Sequence, residues 1–132
     1  MKLVIGGHAQ GKLEYVRRES ILDEICIWDA KLPTAEQIEE IKRQGKTVIV
    51  DHFHEWMRTG LLQENNPETE ILEFVNKMPN CIVISDEIGN GIVPIDKFER
   101  EYRERTGRIL VRLAKEADEV IRVICGIGQK IK

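Results

Sequence analysis

Near the start of the chain, glycines and a lysine are spaced for binding an anion. In GGHAQGKL, residues 6–13, Gly6 is followed by four residues and then Gly11-Lys12, directly behind the apolar run Leu3-Val4-Ile5. Glycines let successive backbone N–H groups converge on an anion, a following helix adds its positive N-terminal end, and a lysine adds a mobile charge. Gly6, Gly7, His8, Ala9, Gln10, Gly11, Lys12 and Leu13 are therefore the candidate residues for holding nucleotide phosphates, with Lys12 reaching the β- and γ-phosphates. Leu13 stands where such loops carry a Ser or Thr that ligates Mg2+. Leucine has no donor atom, so a water would take that place at reduced affinity.

Asp51 ends the apolar run TVIV and has two readings. It is either the carboxylate that faces a phosphate-bound metal from a strand end or a cap for the next helix. With His52, His54 and Glu55 it sets four ionisable groups into five residues. His52 and His54 point the same way on an extended segment, where a metal or acid–base role is open to them, and diverge on a helical start. The plainer reading is polar residues at the mouth of a site. A second polar stretch, SDEIGNGIVP (85–94), puts Asp86 and Glu87 behind another apolar run and then two glycines. That composition suits close approach by a ligand or a neighbouring chain.

These residues need strand ends and helix starts to hold them. Five β-branched apolar runs read as strands: KLVIG (2–6), EICIW (24–28), TVIVD (47–51), CIVIS (81–85) and VIRVI (120–124). All but the last are nearly continuous in apolar character, as in strands covered on both faces. Between them, Pro33-Thr34-Ala35-Glu36-Gln37 carries a capping box, and the helix it opens runs to about Gln44 and stops at Gly45. A second helix opens after Asn66-Pro67 and ends before Pro79, with 63–70 as the candidate mobile loop. The longest starts near Asp96, with Phe98, Tyr102, Ile109, Leu110, Leu113, Ala114 and Ala117 as its apolar stripe. Glu101 with Arg105 and Glu104 with Arg108 pair on its solvated side. Strands alternating with helices predict an α/β fold with a mostly parallel sheet, and a ligand site beyond the strands' carboxyl ends.

At 132 residues the chain suits a single domain, 1–132. Its 20 basic and 23 acidic residues are interspersed, which excludes a basic nucleic-acid face and a polybasic membrane segment. No apolar run is long enough to span a bilayer and no leader pattern opens the chain, so the expected location is the cytoplasm. Cys26, Cys81 and Cys125 are odd in number, far apart and inside apolar runs. Buried free thiols are expected, rather than metal ligands or a disulfide framework.

From SDEIGNGIVP onward the sequence resembles the adenosylcobinamide kinase / adenosylcobinamide-phosphate guanylyltransferase family of cobalamin biosynthesis. That family carries a (S/T)NE-V-G-x-GIVP loop, a helix of the form F-R-x-x-x-G-R-x-N-Q-x-L-A-x-x-A-D-E-V and a strand with a G-(I/L)-x-x-x-(I/L)-K tail. Glu87, Gly89, Gly91, Ile92, Val93, Pro94, Gly107, Arg108, Leu113, Ala114, Ala117, Asp118, Glu119, Val120, Gly126 and Lys130 fall on that pattern. GGHAQGK is similar to its GG-x-x-S-G-K-S, and VIVDHFHEW to its apolar strand, acidic residue and following helix.

The resemblance implies a P-loop, RecA-like three-layer α/β fold and a homo-oligomer, with trimers known in the family. It implies phosphorylation of the aminopropanol hydroxyl of adenosylcobinamide, a corrinoid, by ATP or GTP with Mg2+. Transfer of GMP from GTP through a guanylyl-histidine then follows. Residues 6–12 take the phosphates, Lys12, Asp51 and Glu87 are the implied catalytic residues, Asp51 is the implied metal residue, and 87–94 is a functional loop.

Two departures stand out. Gln10 and Leu13 replace the serines of the family's loop, and the segment after the second strand that carries the guanylylated histidine is shortened, with no histidine between His8 and His52. His52 and His54 are the only histidines left near that position, so guanylyl transfer would fall to them. The rival readings are a catalytically silent paralogue that binds nucleotide as a regulatory or assembly module, and a kinase of another small molecule.

Overall fold

The computed structural model describes residues 1–89 and 91–132. Asn90, inside the expected functional loop 87–94, lies outside the described residues. In chain order the elements are β1 (Lys2–Gly6), α1 (Lys12–Arg18), a single 3-10 turn (Leu22–Glu24), β2 (Ile25–Asp29), α2 (Ala35–Gln44) and β3 (Thr47–Asp51). After them come α3 (Phe53–Leu62), α4 (Pro67–Lys77), β4 (Ile82–Asp86), α5 (Lys97–Glu116), β5 (Glu119–Ile124) and β6 (Ile127–Lys130).

The strands form one sheet in the order β2-β3-β4-β1-β5-β6. The first five run parallel, and β6 returns antiparallel beside β5. β1 lies in the interior of the sheet, so the segment leaving its carboxyl end emerges between the ends of β4 and β5. Alternate strand residues face opposite layers, which is why the runs are apolar almost throughout. Leu3, Val48, Val50, Val83 and Val120 face α2, α3, α4 and α5. Val4, Ile49, Ile84, Ile121 and Val123 face the other way, where Val16 of α1 covers them. The expected mostly parallel α/β sheet with helices on both sides is what the chain forms.

Local signals hold where they rest on backbone chemistry. Thr34 and Gln37 form the reciprocal capping box, and Gly45 ends α2 in the left-handed region. Asp96 caps α5 through Glu99 N–H. Both i,i+4 pairs of α5 are present.

Other expectations need correction. β6 was not read, because a four-residue edge strand with a glycine has little apolar pattern. The loop set at 63–70 is shorter, since α4 begins at Pro67, which as the first helical residue forfeits no hydrogen bond. Cys81 is buried and its thiol is pushed up to about 12 by that burial, but Cys125 is exposed in the β5–β6 turn, with a positive φ. A hairpin turn looks like a strand end when only hydropathy is read. Among the described residues no helix is long and apolar enough to cross a membrane.

Candidate functional site

β2, β3 and β4 each end in an aspartate: Asp29, Asp51 and Asp86. The strands are parallel and in register, Asp29 opposite Asp51 and Asp86 opposite Gly6, so these carboxylates share one rim of the sheet with the start of the loop after β1. The rim is the carboxyl edge, where open parallel sheets place their ligands. A cleft there is lined by His8, Ala9, Gln10, Gly11, Lys12, Leu13, Asp51, His52 and Asp86.

The loop 6–12 is built on two glycines that cannot be replaced freely. A Cβ on Gly6 would lie 2.5 Å from the Val123 carbonyl oxygen of the neighbouring strand. Gly11 turns the chain into α1 with φ +82°, in the left-handed region. The side of the loop is tied to the β5–β6 turn. Gln10 Oε1 accepts from Cys125 N–H at 2.8 Å, and Gln10 O accepts from Gly126 N–H at 2.8 Å. Gln10, which stands in place of a serine of the family's pattern, thus anchors the loop from outside.

Lys12 is 8% exposed; its ammonium donates to Gly7 O at 2.7 Å and to Asp86 Oδ1 at 2.6 Å. Asp86 also faces His54 Nε2 and His8 Nδ1, each at 3.4 Å from Oδ2. Burial pulls the Asp86 carboxyl upward. The hydrogen bond and charge of Lys12, with His54 and His8 beside the carboxylate, outweigh it and hold Asp86 below the usual range.

His54 is buried, and burial holds its imidazole below the ordinary histidine value despite Asp86 and Glu55 nearby. Its Nδ1 accepts from Asp86 N–H at 3.1 Å, which leaves the proton of the neutral ring on Nε2. Tyr102 of α5 donates to the His54 carbonyl at 2.9 Å from a buried position.

Asp51 is 7% exposed, and its Oδ1 accepts from His52 N–H at 2.9 Å. The helix-cap reading does not hold, since that N–H belongs to the residue before α3 and no side chain caps the helix's first turn. His52 is the residue before α3 and adopts φ +50°, ψ +44°, which histidine tolerates better than most side chains. This conformation brings its Nδ1 to 2.6 Å from Asp29 Oδ1. The hydrogen bond to Asp29, against a smaller cost of burial, raises the His52 imidazole above its usual value. Neither expected geometry of the histidine pair is adopted: His52 precedes α3 in the left-handed region and His54 lies inside the helix, and the rings do not diverge but meet edge-on with centroids 5.9 Å apart.

The structure thus brings Lys12, Asp51 and the loop residues 8–13 into one cleft. Glu87 is not among the residues lining it. Its carboxylate takes a two-pronged contact from Arg122 of β5, at 2.7 and 3.0 Å, and its N–H donates to Gly6 O at 2.8 Å. Asp29 is not singled out by sequence reasoning, and Asp86 only as part of a stretch suited to close approach by a ligand or a neighbouring chain. The available signal was the repeated ending of EICIWD, TVIVD and CIVISD, in which three apolar strands close on the same carboxylate.

Residues 15–131 match the family described as CobU: Cobinamide kinase / cobinamide phosphate guanyltransferase. Among curated relatives, the “Bifunctional adenosylcobalamin biosynthesis protein CobU” of Escherichia coli (strain K12) is 30% identical over 135 residues, covering 95% of this chain and 75% of that protein. The protein of the same description from Salmonella typhimurium is 47% identical over 51 residues, 39% of this chain and 28% of the relative. The “Bifunctional adenosylcobalamin biosynthesis protein CobP” of Pseudomonas aeruginosa is 26% identical over 95 residues, 67% of this chain and 54% of the relative. With a family match across nearly its whole length and a relative aligned along 95% of it, the chain belongs to the cobinamide kinase / cobinamide phosphate guanyltransferase family.

Proposed function

We propose that this chain is a nucleotide-dependent kinase that phosphorylates the aminopropanol hydroxyl of adenosylcobinamide. The observation that carries the reading is the convergence of Lys12 and Asp51 in one cleft at the carboxyl edge of the sheet, in a member of this family. Phosphoryl transfer asks a protein mainly for positioning and charge neutralisation. The backbone of residues 6–12 would cradle the phosphates, and Lys12 would turn from Asp86 to the β- and γ-oxygens. Asp51 would hold a divalent cation, which when bound neutralises the charge developing between those oxygens. A buried carboxylate open to the cleft suits that task, while Leu13 supplies no oxygen ligand beside it.

The test is incubation with adenosylcobinamide and γ-labelled GTP or ATP. Label on the corrinoid above a Lys12→Ala control supports the kinase, and none above it defeats the assignment. One observation favours a second reading, a catalytically silent nucleotide-binding paralogue. Lys12 is already neutralised by a carboxylate, and the position after it lacks a hydroxyl. Nucleotide binding without label transfer selects that reading.

Guanylyl transfer has a separate readout. His54 is buried with Nδ1 occupied, whereas His52 is partly exposed. Covalent label from α-labelled GTP that survives His54→Gln and disappears in His52→Gln would add that half-reaction and assign it to His52. We further read the chain as a cytoplasmic homo-oligomer, a trimer by family resemblance. Ile92 and Val93 of the GIVP loop and Ile95 just after it, at 91%, 71% and 96% exposure, support self-association.

A further inference from the structure

Asp29 and Asp51 are register partners at the ends of adjacent parallel strands, and the left-handed turn at His52 folds its ring back over both. One donor atom from each of the three residues lies within 4.8 Å of the other two. Nδ1 of His52 is 2.6 Å from Asp29 Oδ1 and 3.4 Å from Asp51 Oδ2. A single ring hydrogen serves one of these oxygens, and the shorter contact takes it. Asp51 Oδ2, on a side chain nine-tenths buried, is left as an anionic oxygen with no hydrogen-bond donor of its own among the described residues, in the wall of the cleft. Asp86 is already matched by the Lys12 ammonium, whereas Asp29 and Asp51 have one imidazole ring between them.

We propose that Asp29, Asp51 and His52 form a cation site that takes a divalent first-row transition ion in preference to Mg2+. A cation in place of the ring proton on Nδ1 reaches all three donors at once, with neutral His52 keeping its hydrogen on Nε2. Donor atoms around an ion with bonds of about 2.0–2.2 Å stand roughly 3–4 Å apart; His52 Nδ1 lies 2.6 and 3.4 Å from the two carboxylate oxygens, and all three donors lie within 4.8 Å, so small side-chain shifts reach that spacing. The donor set decides the ion. Mg2+ seeks an octahedron of oxygens, whereas imidazole nitrogen suits the later first-row ions, Fe2+, Ni2+ and Zn2+ among them, and Mn2+, the weakest binder of that series, sets the lower bound of the preference. Leu13, which also lines the cleft, supplies no oxygen that would favour Mg2+. The role of the ion at nucleotide phosphates rests on the kinase reading above; its binding does not.

The test is titration of the full chain with Mn2+ in the absence of nucleotide, followed by the loss of the free-ion electron paramagnetic resonance signal. The expected result is one Mn2+ per chain, displaced only by at least about tenfold excess Mg2+. Asp29→Asn and His52→Gln should each weaken binding by at least about tenfold while circular dichroism and melting stay unchanged. Absence of Mn2+ binding, unchanged affinity in both variants, or displacement by equimolar Mg2+ would overturn the site. Binding of a fluorescent GTP analogue in EDTA, wild type against Lys12→Ala, reads the phosphate loop separately. A failure there counts against the kinase reading and leaves the Mn2+ result standing.

Discussion

Lys12 Nζ lies 2.6 Å from Asp86 Oδ1, so the cation of the phosphate loop is ion-paired within the protein itself. Both side chains are largely buried, where such a contact is screened less than at the surface. Nucleotide phosphates must draw Lys12 away or share it against the repulsion of Asp86. Asp86→Asn keeps the shape and removes the competing charge. Affinity for a fluorescent GTP analogue should rise by about fivefold to tenfold, the worth of one charge-assisted hydrogen bond partly offset. Unchanged or weaker binding would show that Asp86 does not compete for Lys12.

Leu13 is the second residue of α1 and packs in part against the second-face core of Val4, Val16 and Ile121. Leu13→Ser trades that packing for a hydroxyl beside Lys12. Thermal unfolding should report a loss of about 1–2 kcal/mol, and Mg2+ should strengthen nucleotide binding more in the variant than in wild type. Equal Mg2+ dependence in the two proteins would mean that position 13 does not meet the metal.

Gly6 and Gly7 make a matched pair of substitutions. A Cβ at Gly6 meets a backbone carbonyl 2.5 Å away, and β5 cannot yield without breaking its pairing to β1, whereas the nearest atom at Gly7 is the flexible Gln10 Cγ at 3.5 Å. Gly6→Ala should destabilise the fold by about 1–3 kcal/mol in chemical denaturation. Gly7→Ala should fall well below that, and similar losses in the two would contradict the close approach of Val123.

Arg105 of α5 grips Glu68 of α4 through Nε and Nη2, at 2.6 and 2.9 Å. The Arg105 hydrogen bond, opposed by burial, holds the Glu68 carboxyl below its ordinary value of 4.5. A carboxyl lowered in the folded state stabilises the fold above its unfolded value and loses that contribution as pH falls through its folded one. The pair is partly solvated, so its worth at neutral pH is about 1 kcal/mol at most. Wild type should therefore melt slightly above Glu68→Gln near pH 7, with the difference closing below about pH 4.5. A difference independent of pH would assign the effect to packing instead.

Much of the fold was legible in the sequence because its signals are local. Apolar runs of strand length, the Thr34–Gln37 box, Gly45 and the Asn66-Pro67 start each depend on a few neighbouring residues. β6 and the exposure of Cys125 were not legible. A short glycine-containing edge strand earns its place by pairing with β5, which no local pattern records.

The candidate site divides in the same way. Residue type and spacing are enough to place a glycine–lysine loop after the first strand, to end an apolar strand on Asp51, and to put the family's pattern in the C-terminal half. The partners of these residues come from how the strands pack. Strand order set Asp86 rather than Asp51 against Lys12, because β4 lies between β3 and β1. Register set Asp29 beside Asp51, and the turn at His52 aimed its ring at both. The same packing gave Glu87 to Arg122 across the end of β1. Contacts between residues tens of positions apart depend on which strands are neighbours, and that is settled by burying both faces of the sheet at once.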